Sequence, residues 1–463
     1  MKDPGSILLI ACYELGHQPL AVAWPAAFLE RRGYRPAVMD VSVEPFDAER
    51  VARARLVAIS VPMHTALRIG VEVAARVRAV NPTCHVCFFG LYAVLNADHL
   101  LGRGADTVLG GESEERLVEL AVAIETGQIG TGAARSRPGL TPSPSVGRLE
   151  FPVPSRAGLP SLKGYLRLER NGDLGLVGYV QASRGCLHRC RHCPIPPVYG
   201  GRFFVVPRDV CLADVRQLVE AGAKHITFGD PDFLNGPGHA LAVARAVHAE
   251  FPELTFDFTA KVEHLLRHRA RLAELAGLGC IFIVSAVESV SDTVLAHLGK
   301  GHTRADVLEV TRLVRAAGIA LRPTWVAFTP WTTLADYQAM LDLVEAEDLI
   351  DHVDPVQFSI RLLVPPGSLL LETSAMRLFL GQLVERDFYH EWTHPDARMD
   401  ALHREVSEVV AAAAESGQDP VQTFDRVRRL TDSLSGASAR RRVAARVAPD
   451  RRRPPRLSEP WFC

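Results

Sequence analysis

Three cysteines, Cys186, Cys190 and Cys193, fall within the run Ser183-Arg-Gly-Cys-Leu-His-Arg-Cys-Arg-His-Cys-Pro194. Their C-x3-C-x2-C spacing offers three thiolates on one short loop, one fewer than a closed four-ligand centre needs. A cubane iron–sulfur cluster held by three protein sulfurs keeps one iron open to an outside ligand. Zinc is the competing metal, since His188 or His192 could complete a Cys3His site. No second ligand pair follows at zinc-finger spacing, and the motif sits just behind a predicted strand, so the spacing favours the cluster. Packing cysteines are a poor alternative, because Arg184, Arg189 and Arg191 flank the segment.

The other cysteines carry less chemistry. Cys84 and Cys87 form a C-x2-C on a predicted strand, where residues three apart face opposite sides, so they read as packing residues. Cys12, Cys211 and Cys280 read as small buried apolar residues. Nine cysteines in 463 residues, an odd count, do not make a disulfide framework and fit a reduced compartment, the cytoplasm. The apolar run Ile7-Leu-Leu-Ile-Ala-Cys12 is too short for a signal peptide, and no stretch is long enough to span a bilayer. A net charge of −1 gives no global electrostatic case for nucleic acid or membrane.

Strands and helices that would position the motif alternate along the chain. Segments 7–12, 36–42, 56–63, 85–90 and 107–110 read as buried strands, with helical periodicity at 20–32, 65–80, 91–101 and 112–124. Five such units predict an α/β fold, a flavodoxin-like doubly wound parallel sheet with ligands beyond the carboxyl ends of its strands. A Gly-, Ser-, Arg- and Pro-rich stretch then reads as a linker. Six further strands are expected at 178–182, 225–229, 254–260, 280–287, 320–328 and 356–364. The helices between them are expected at 208–221, 239–251, 262–278, 303–317 and 334–346, with Thr303 as an N-cap. These units predict a partial (β/α)6 barrel, open on one side. The expected domains are 1–127, a linker at 128–172, the barrel at 173–400 and a helical segment with a mobile basic tail at 401–463. That tail contains Arg440-Arg-Arg442 and Arg451-Arg-Arg453, without the interleaved aromatics that would suggest nucleic acid.

With the cysteine loop, Gly229-Asp-Pro-Asp-Phe-Leu-Asn235, Ser285-Ala-Val-Glu-Ser289 and Gly110-Gly-Glu-Ser-Glu114, the chain resembles the radical S-adenosylmethionine (SAM) superfamily. Within it, the resemblance is to members with an N-terminal cobalamin-binding domain. It implies a [4Fe-4S] cluster on Cys186, Cys190 and Cys193, SAM on the open iron, and cobalamin as a further cofactor. The Asp-x-His-x-x-Gly signature of a cobalt-ligating histidine is absent; Glu14-Leu-Gly-His-Gln18 does not match it. More narrowly, Glu459-Pro-Trp-Phe-Cys463 is similar to the tails of CUAEP/CCAEP-type radical SAM proteins, which implies continuation through selenocysteine and Ala-Glu-Pro.

Gly229, Asp230 and Asp232 follow the second barrel strand, where backbone and carboxylate groups suit the SAM amino group. An ordinary turn uses the same residue types. Ser285 and Glu288 end the fourth strand, with Glu288 the candidate for the ribose hydroxyls. Arg322, on the fifth, is the candidate for the SAM carboxylate, against a structural ion pair. Lys261 is a weaker candidate, and His390, Trp392 and His394 suit packing as well as substrate contact. The expected reaction is reductive cleavage of SAM to a radical acting on a small-molecule or peptide substrate, with a reductase, flavodoxin or ferredoxin as electron donor. Two alternatives stand beside it. One is aminocarboxypropyl transfer from SAM to trivalent arsenic held at Cys463; the other is a cobalamin- or metal-binding sensor without turnover.

Overall fold

The computed structural model describes residues 1–129, 143–435 and 451–459. Strands β1 (Ile7–Ala11), β2 (Ala37–Asp40), β3 (Leu56–Ser60), β4 (His85–Phe89) and β5 (Thr107–Leu109) form one parallel sheet in the order β2-β1-β3-β4-β5. Every residue of β1, β3, β4 and β5 is buried, as parallel strands covered on both faces require. The strand order reverses between β1 and β3, which opens a crevice at their carboxyl ends. Cys84 and Cys87 lie in different apolar cores, as their spacing predicts. The helix expected at 91–101 is broken at Asn96 into Leu91–Leu95 and Ala97–Gly102. There the Asn96 amide donates to the Tyr92 carbonyl at 2.9 Å and displaces the helical bond.

The second sheet is assembled from β6 (Arg167–Arg170), β7 (Asp173–Val180), β10 (His225–Phe228), β11 (Thr255–Ala260), β12 (Cys280–Glu288), β13 (Ala320–Trp325) and β16 (Arg456–Leu457). Between them, β8 (Ser183–Gly185) pairs with β9 (Phe203–Val205), and β14 (Leu380–Val384) with β15 (Tyr389–Trp392). The order β13-β12-β11-β10-β7-β6-β16 has five parallel strands followed by two antiparallel ones, a curled half-barrel. Phe228, Phe233, Phe256 and Phe258 stack on its helix-covered face. The concave face carries Thr227, whose hydroxyl donates to Asp257 at 2.6 Å, and His225, 2.9 Å from the same carboxylate.

Beside the broken helix, four details differ from expectation, and the first is that the Leu162–Gly164 turn and β6 fall within 128–172, expected to be a linker. Segment 356–364 provides a 3-10 turn (Pro355–Phe358) and a single parallel bridge between Phe328 and Arg361 instead of a continuous strand. Pro355 lacks the N–H that a ladder needs and favours the first position of a turn. The helix expected at 262–278 is three pieces, Val262–Arg267, Arg269–Arg271 and Leu272–Gly277. Finally, residues 451–459 are not a mobile tail. Arg456–Leu457 add to β6 as an antiparallel strand, and Arg451 reaches Asp351 (2.7 Å) and Asp419 (2.8 Å). Arg456 pairs with Glu169 at 2.6 Å, and the Tyr13 hydroxyl donates to Glu459 at 2.7 Å. The unpaired edge of β6 and these carboxylates supply what an isolated basic run lacks. Arg440-Arg-Arg442 and Cys463 lie outside the described residues.

Residues 150–166 pack between the two sheets. Trp24 donates to the Pro152 carbonyl at 3.2 Å, and the Tyr165 hydroxyl to Asp40 at 2.8 Å. The buried Arg156 grips Asp214 through two nitrogens at 2.6 and 2.8 Å and also reaches Gln18 and the Tyr179 carbonyl. Among the described residues, no helix is long and apolar enough to cross a membrane.

The Arg156–Asp214 pair yields a prediction. Arg156→Ala leaves a buried carboxylate without its partner and should cost about 3–5 kcal/mol. Arg216→Ala, which breaks the exposed pair with Glu250, should stay close to the parent. Urea unfolding of both variants measures the difference, and equal midpoints would refute it.

Candidate active site

The cysteine loop begins where β7 ends. Immediately after it, β8 pairs with β9, so residues 186–202 are closed into a loop whose two ends are hydrogen-bonded together. Gly185 sits at φ +75°, and a Cβ there would lie 2.4 Å from the Arg202 carbonyl oxygen, so the closure requires glycine. Cys186 and Cys190 are buried, Cys193 is partly exposed, and the Cys193 N–H donates to the Cys190 carbonyl at 3.2 Å. Burial, with the neighbouring sulfurs, raises the Cys186 thiol and pushes Cys193 up to about 12. Thiols placed so close together lose their protons to a metal much more readily than to water.

The zinc alternative needs an imidazole; His188 has both ring nitrogens engaged elsewhere, while His192 has one engaged and its Nδ1 buried without a partner. His192 Nε2 lies 3.4 Å from Glu288. His188 Nε2 lies 3.1 Å from His264 Nε2, and its Nδ1 lies 3.1 Å from Lys261 Nζ. An ammonium only donates, so His188 Nδ1 accepts and its Nε2–H points to His264. Burial, then Lys261, lowers His188 to about 4, in keeping with a neutral ring. Among the described residues, the only set whose ligand atoms close within 4.8 Å for a single ion is His188, Asp232 and His264. The Lys261 ammonium closes that set as a hydrogen-bonded chain instead.

The strand ends around this loop carry the remaining candidates. A Cβ on Gly229 would lie 2.1 Å from the Tyr179 ring, so only glycine fits at the end of β10. Asp230 accepts from the Ala182 N–H (2.9 Å) and the Ser183 hydroxyl (2.5 Å), tying the end of β7 to that of β10. Burial lifts it to about 7 against those bonds. Asp232 caps the turn Phe233–Asn235 and accepts from the Leu234 and Lys261 N–H groups. Both carboxylates therefore hold loops in place. The Ser285 hydroxyl is fully buried and donates across to the Ala260 carbonyl at 2.9 Å.

Glu288 has φ +66° at a register shift between β12 and β13. Such a backbone state in a buried non-glycine residue persists only where its surroundings impose it. Lys300, itself buried, lies 3.3 Å from its carboxylate. Burial alone would raise Glu288; Lys300 and then His192 overcome it and hold the group down to about 2. Arg322 gives Nη2 to Asp354 at 2.7 Å, while its Nη1 is buried with no partner in the protein. Asn235 accepts from the Leu187 N–H at 3.2 Å, and its own amide nitrogen is also buried without a partner. Residue type and spacing alone assign no role to Asn235, Lys300 or His264. The signal for Lys300 is its place between Gly299 and Gly301, both left-handed, just after a helix.

Between the carboxyl ends of the first sheet and this loop lies a cavity of about 330 Å³, lined by Glu14, Ser60, Met63, Gly90, Ser113, Tyr179 and Arg184 among others. No histidine is among its lining residues. Burial pushes Glu14 up to about 7. Cys463 falls outside the described residues, and Lys261 serves the histidine chain. Trp392 and His394 donate or accept within the protein, to Leu362 and Thr332, as packing groups.

Because its carboxyl is depressed from 4.5 to about 2, Glu288 contributes stability that is fully present above pH 4.5 and is lost as pH falls toward 2. Glu288→Gln should therefore melt below the parent at about pH 7, with the gap closing toward about pH 3. Thermal melts of the apoprotein across that range test this; a gap independent of pH would contradict it.

Residues 180–330 match the family model described as the radical SAM superfamily. A tRNA-2-methylthio-N(6)-dimethylallyladenosine synthase of Geobacter sulfurreducens is 30% identical over 193 residues, 38% of this chain and 42% of that one. An uncharacterized methyltransferase of Pyrococcus horikoshii is 24% identical over 272 residues, 56% of each chain. The chain thus spans about half or less of the length of these curated relatives. Among solved structures, the cobalamin-dependent SAM radical enzyme OxsB, with aqua-cobalamin and SAM bound, superposes with a TM-score of 0.68 at 14% identity, covering 88% of this chain and 67% of that one. The radical SAM methyltransferase TsrM from Kitasatospora setae, with tryptophan and a SAM analogue, gives 0.59 at 20% identity, over 74% and 71%. Such identities speak for the fold. A radical SAM domain implies a [4Fe-4S] cluster and SAM, and the loop of three sulfurs suits that pair: the chain carries a radical SAM domain on a fold shared with cobalamin-dependent radical SAM enzymes.

Proposed function

We propose that this protein is a radical SAM enzyme in which Cys186, Cys190 and Cys193 hold the [4Fe-4S] cluster, acting on a substrate admitted between the two sheets. The observation that carries this reading is the loop itself: three thiols at the carboxyl end of the first parallel strand, with both ring nitrogens of His188 and Nε2 of His192 engaged elsewhere. When bound, cluster and SAM supply the one-electron cleavage of a carbon–sulfur bond.

The chain's own residues bind, orient and exclude water. Arg322, one nitrogen fixed by Asp354, presents Nη1 to the SAM carboxylate as a charge-assisted donor. Glu288, kept ionised by Lys300 and His192, accepts from the ribose hydroxyls. Gly229 leaves room beside Tyr179, while Asp230, Asp232 and Ser285 shape the strand ends that face SAM. The cavity beyond β1, β3 and β4 is where we place cobalamin, held without a histidine from the protein. A reducible cluster requires a reducing compartment, so we assign the protein to the cytoplasm with a flavodoxin, ferredoxin or reductase as donor.

Two experiments test this. Anaerobic reconstitution should load about four irons per chain, and dithionite with SAM should release 5′-deoxyadenosine. Replacing all three cysteines by alanine should abolish both, whereas zinc alone, or iron retained in the triple variant, would overturn the reading. Arg322→Gln should then raise the KM for SAM roughly 10–150-fold, the worth of one charge-assisted bond, with iron content unchanged. An unchanged KM would remove Arg322 from the site.

A second reading is favoured by the anchoring of residues 456–459 beside the loop Tyr13–Gly16, next to the cavity. In it Cys463 offers a soft thiol to trivalent arsenic, which receives the aminocarboxypropyl group of SAM. An aminocarboxypropyl arsenic product, lost in Cys463→Ser, would favour this reading over the first; no SAM cleavage at all would leave a sensor.

A further inference from the structure

We propose that the outer face of the cysteine loop docks a small acidic one-electron carrier protein, of flavodoxin or ferredoxin type. Leu187 is the apolar centre of this face, and Arg189, Arg191 and Arg202 are its charged rim. The inference rests on the cluster reading above and identifies the surface through which that site is served.

Leu187 is 47% exposed although it follows the buried Cys186 directly. Around it stand three exposed arginines whose hydrogen-bond partners are backbone carbonyls. Arg189 donates to the Gly200 carbonyl at 2.7 Å, Arg202 to the Tyr199 carbonyl at 3.2 Å, and Arg191 to the carbonyls of Ala296 and His297 at 3.3 and 3.2 Å. Carbonyls orient a guanidinium without neutralising it. Elsewhere on the surface, Arg216, Arg245 and Arg267 face Glu250, Glu274 and Glu263. Among the described residues, none of the three loop arginines has a carboxylate within ion-pair distance.

The patch is continuous. A Cβ on Gly201 would lie 3.0 Å from Arg189 Nε and 3.5 Å from the Leu187 carbonyl oxygen. One on Gly299 would lie 3.6 Å from Arg191 Cγ and 3.7 Å from the Arg189 carbonyl oxygen. An apolar centre ringed by arginine is a common interface composition, and uncompensated positive charge steers an acidic partner toward it. Leu187 and Arg189 are covalent neighbours of Cys186 and Cys190, so a carrier seated here is within a residue or two of the sulfurs. RNA would also answer to the charge, and the test below separates it from an acidic carrier. In the transfer, one electron leaves the carrier's flavin hydroquinone, which becomes the semiquinone, and the cluster gains that electron. No bond is made or broken.

The test uses the reconstituted full chain and a bacterial flavodoxin. Binding of oxidised flavodoxin, followed by calorimetry, should weaken about tenfold in Arg202→Glu and further in Arg189→Glu/Arg202→Glu. It should also weaken as salt is raised. Stopped-flow oxidation of flavodoxin hydroquinone should slow in parallel, while reduction by methyl viologen radical cation and the cluster absorbance stay as in the parent. Arg202→Lys should bind like the parent. Flavodoxin affinity indifferent to Arg202→Glu and to salt would overturn the proposal, as would a loss confined to binding of an RNA oligonucleotide or to self-association. If instead methyl viologen fails to reduce the parent protein, it is the cluster reading that falls. Should Arg202→Glu lose iron, Arg202→Gln and the salt series decide the same question.

Discussion

The guanidinium of Arg184, two residues before the first of the three cysteines, is the interaction on which the arrangement depends. It lies 3.1 Å from Glu112 and 2.5 Å from Glu114 and sits 4.3 Å over the Trp24 ring and 5.0 Å over Phe151. Glu112 also accepts from the Tyr199 hydroxyl at 2.8 Å. One largely buried side chain thus joins the end of β5, the helix Leu20–Arg31, the segment between the sheets and the helix Ile195–Tyr199 that closes the cysteine loop. Two carboxylates share a single cation, and burial raises Glu112 accordingly. Buried ion pairs seldom add net stability, because desolvation offsets their attraction. What this one supplies is geometry: the loop that carries the sulfurs takes its starting point from the other sheet.

That dependence explains what the sequence could and could not convey. The parallel strands were legible because fully buried strands must be rich in Val, Ile, Leu and Phe, and the helix starting after Thr303 because its capping box with Asp306 is local. The Asn171-Gly172 turn, with both residues left-handed, is an equally local hairpin signal that is missed where 128–172 reads as a linker. Breaks inside helices were not legible: at Asn96 a side chain competes with the backbone, and composition does not reveal which bond wins. The basic segment at 451–456 misled for another reason. Its order comes from Asp351, Asp419 and Glu169, partners more than 30 residues away that no local window contains.

The candidate site divides along the same line. Cys186, Cys190 and Cys193 declare themselves by spacing, since loop geometry and ligand chemistry are both written locally. Asp230 and Asp232 stood out for being acidic at a strand end, yet their oxygens are taken by Ala182, Ser183, Leu234 and Lys261. A carboxylate next to backbone N–H groups satisfies them before it can serve a ligand. Arg322 shows the converse. Half of its guanidinium is bound to Asp354 and half is buried without a partner, so the same residue is a structural ion pair and an available donor.

The two sheets point the carboxyl ends of their strands at one another across the cavity beside Arg184. Burial lifts Glu14, which lines that cavity, and Asp230 to about 7, while Glu288, with Lys300 beside it, falls to about 2. A carboxylate that must accept from a ligand at neutral pH therefore needs a resident cation, and only Glu288 among these three is given one at close range. Its left-handed backbone follows from the same requirement, because the bulge between β12 and β13 turns the side chain toward both Lys300 and His192. Strain at this one residue, a cation with little solvent access and an imidazole from the cysteine loop converge on a single acceptor. A buried carboxylate held by a buried cation is costly to assemble, and a strained backbone at the same residue adds to that cost.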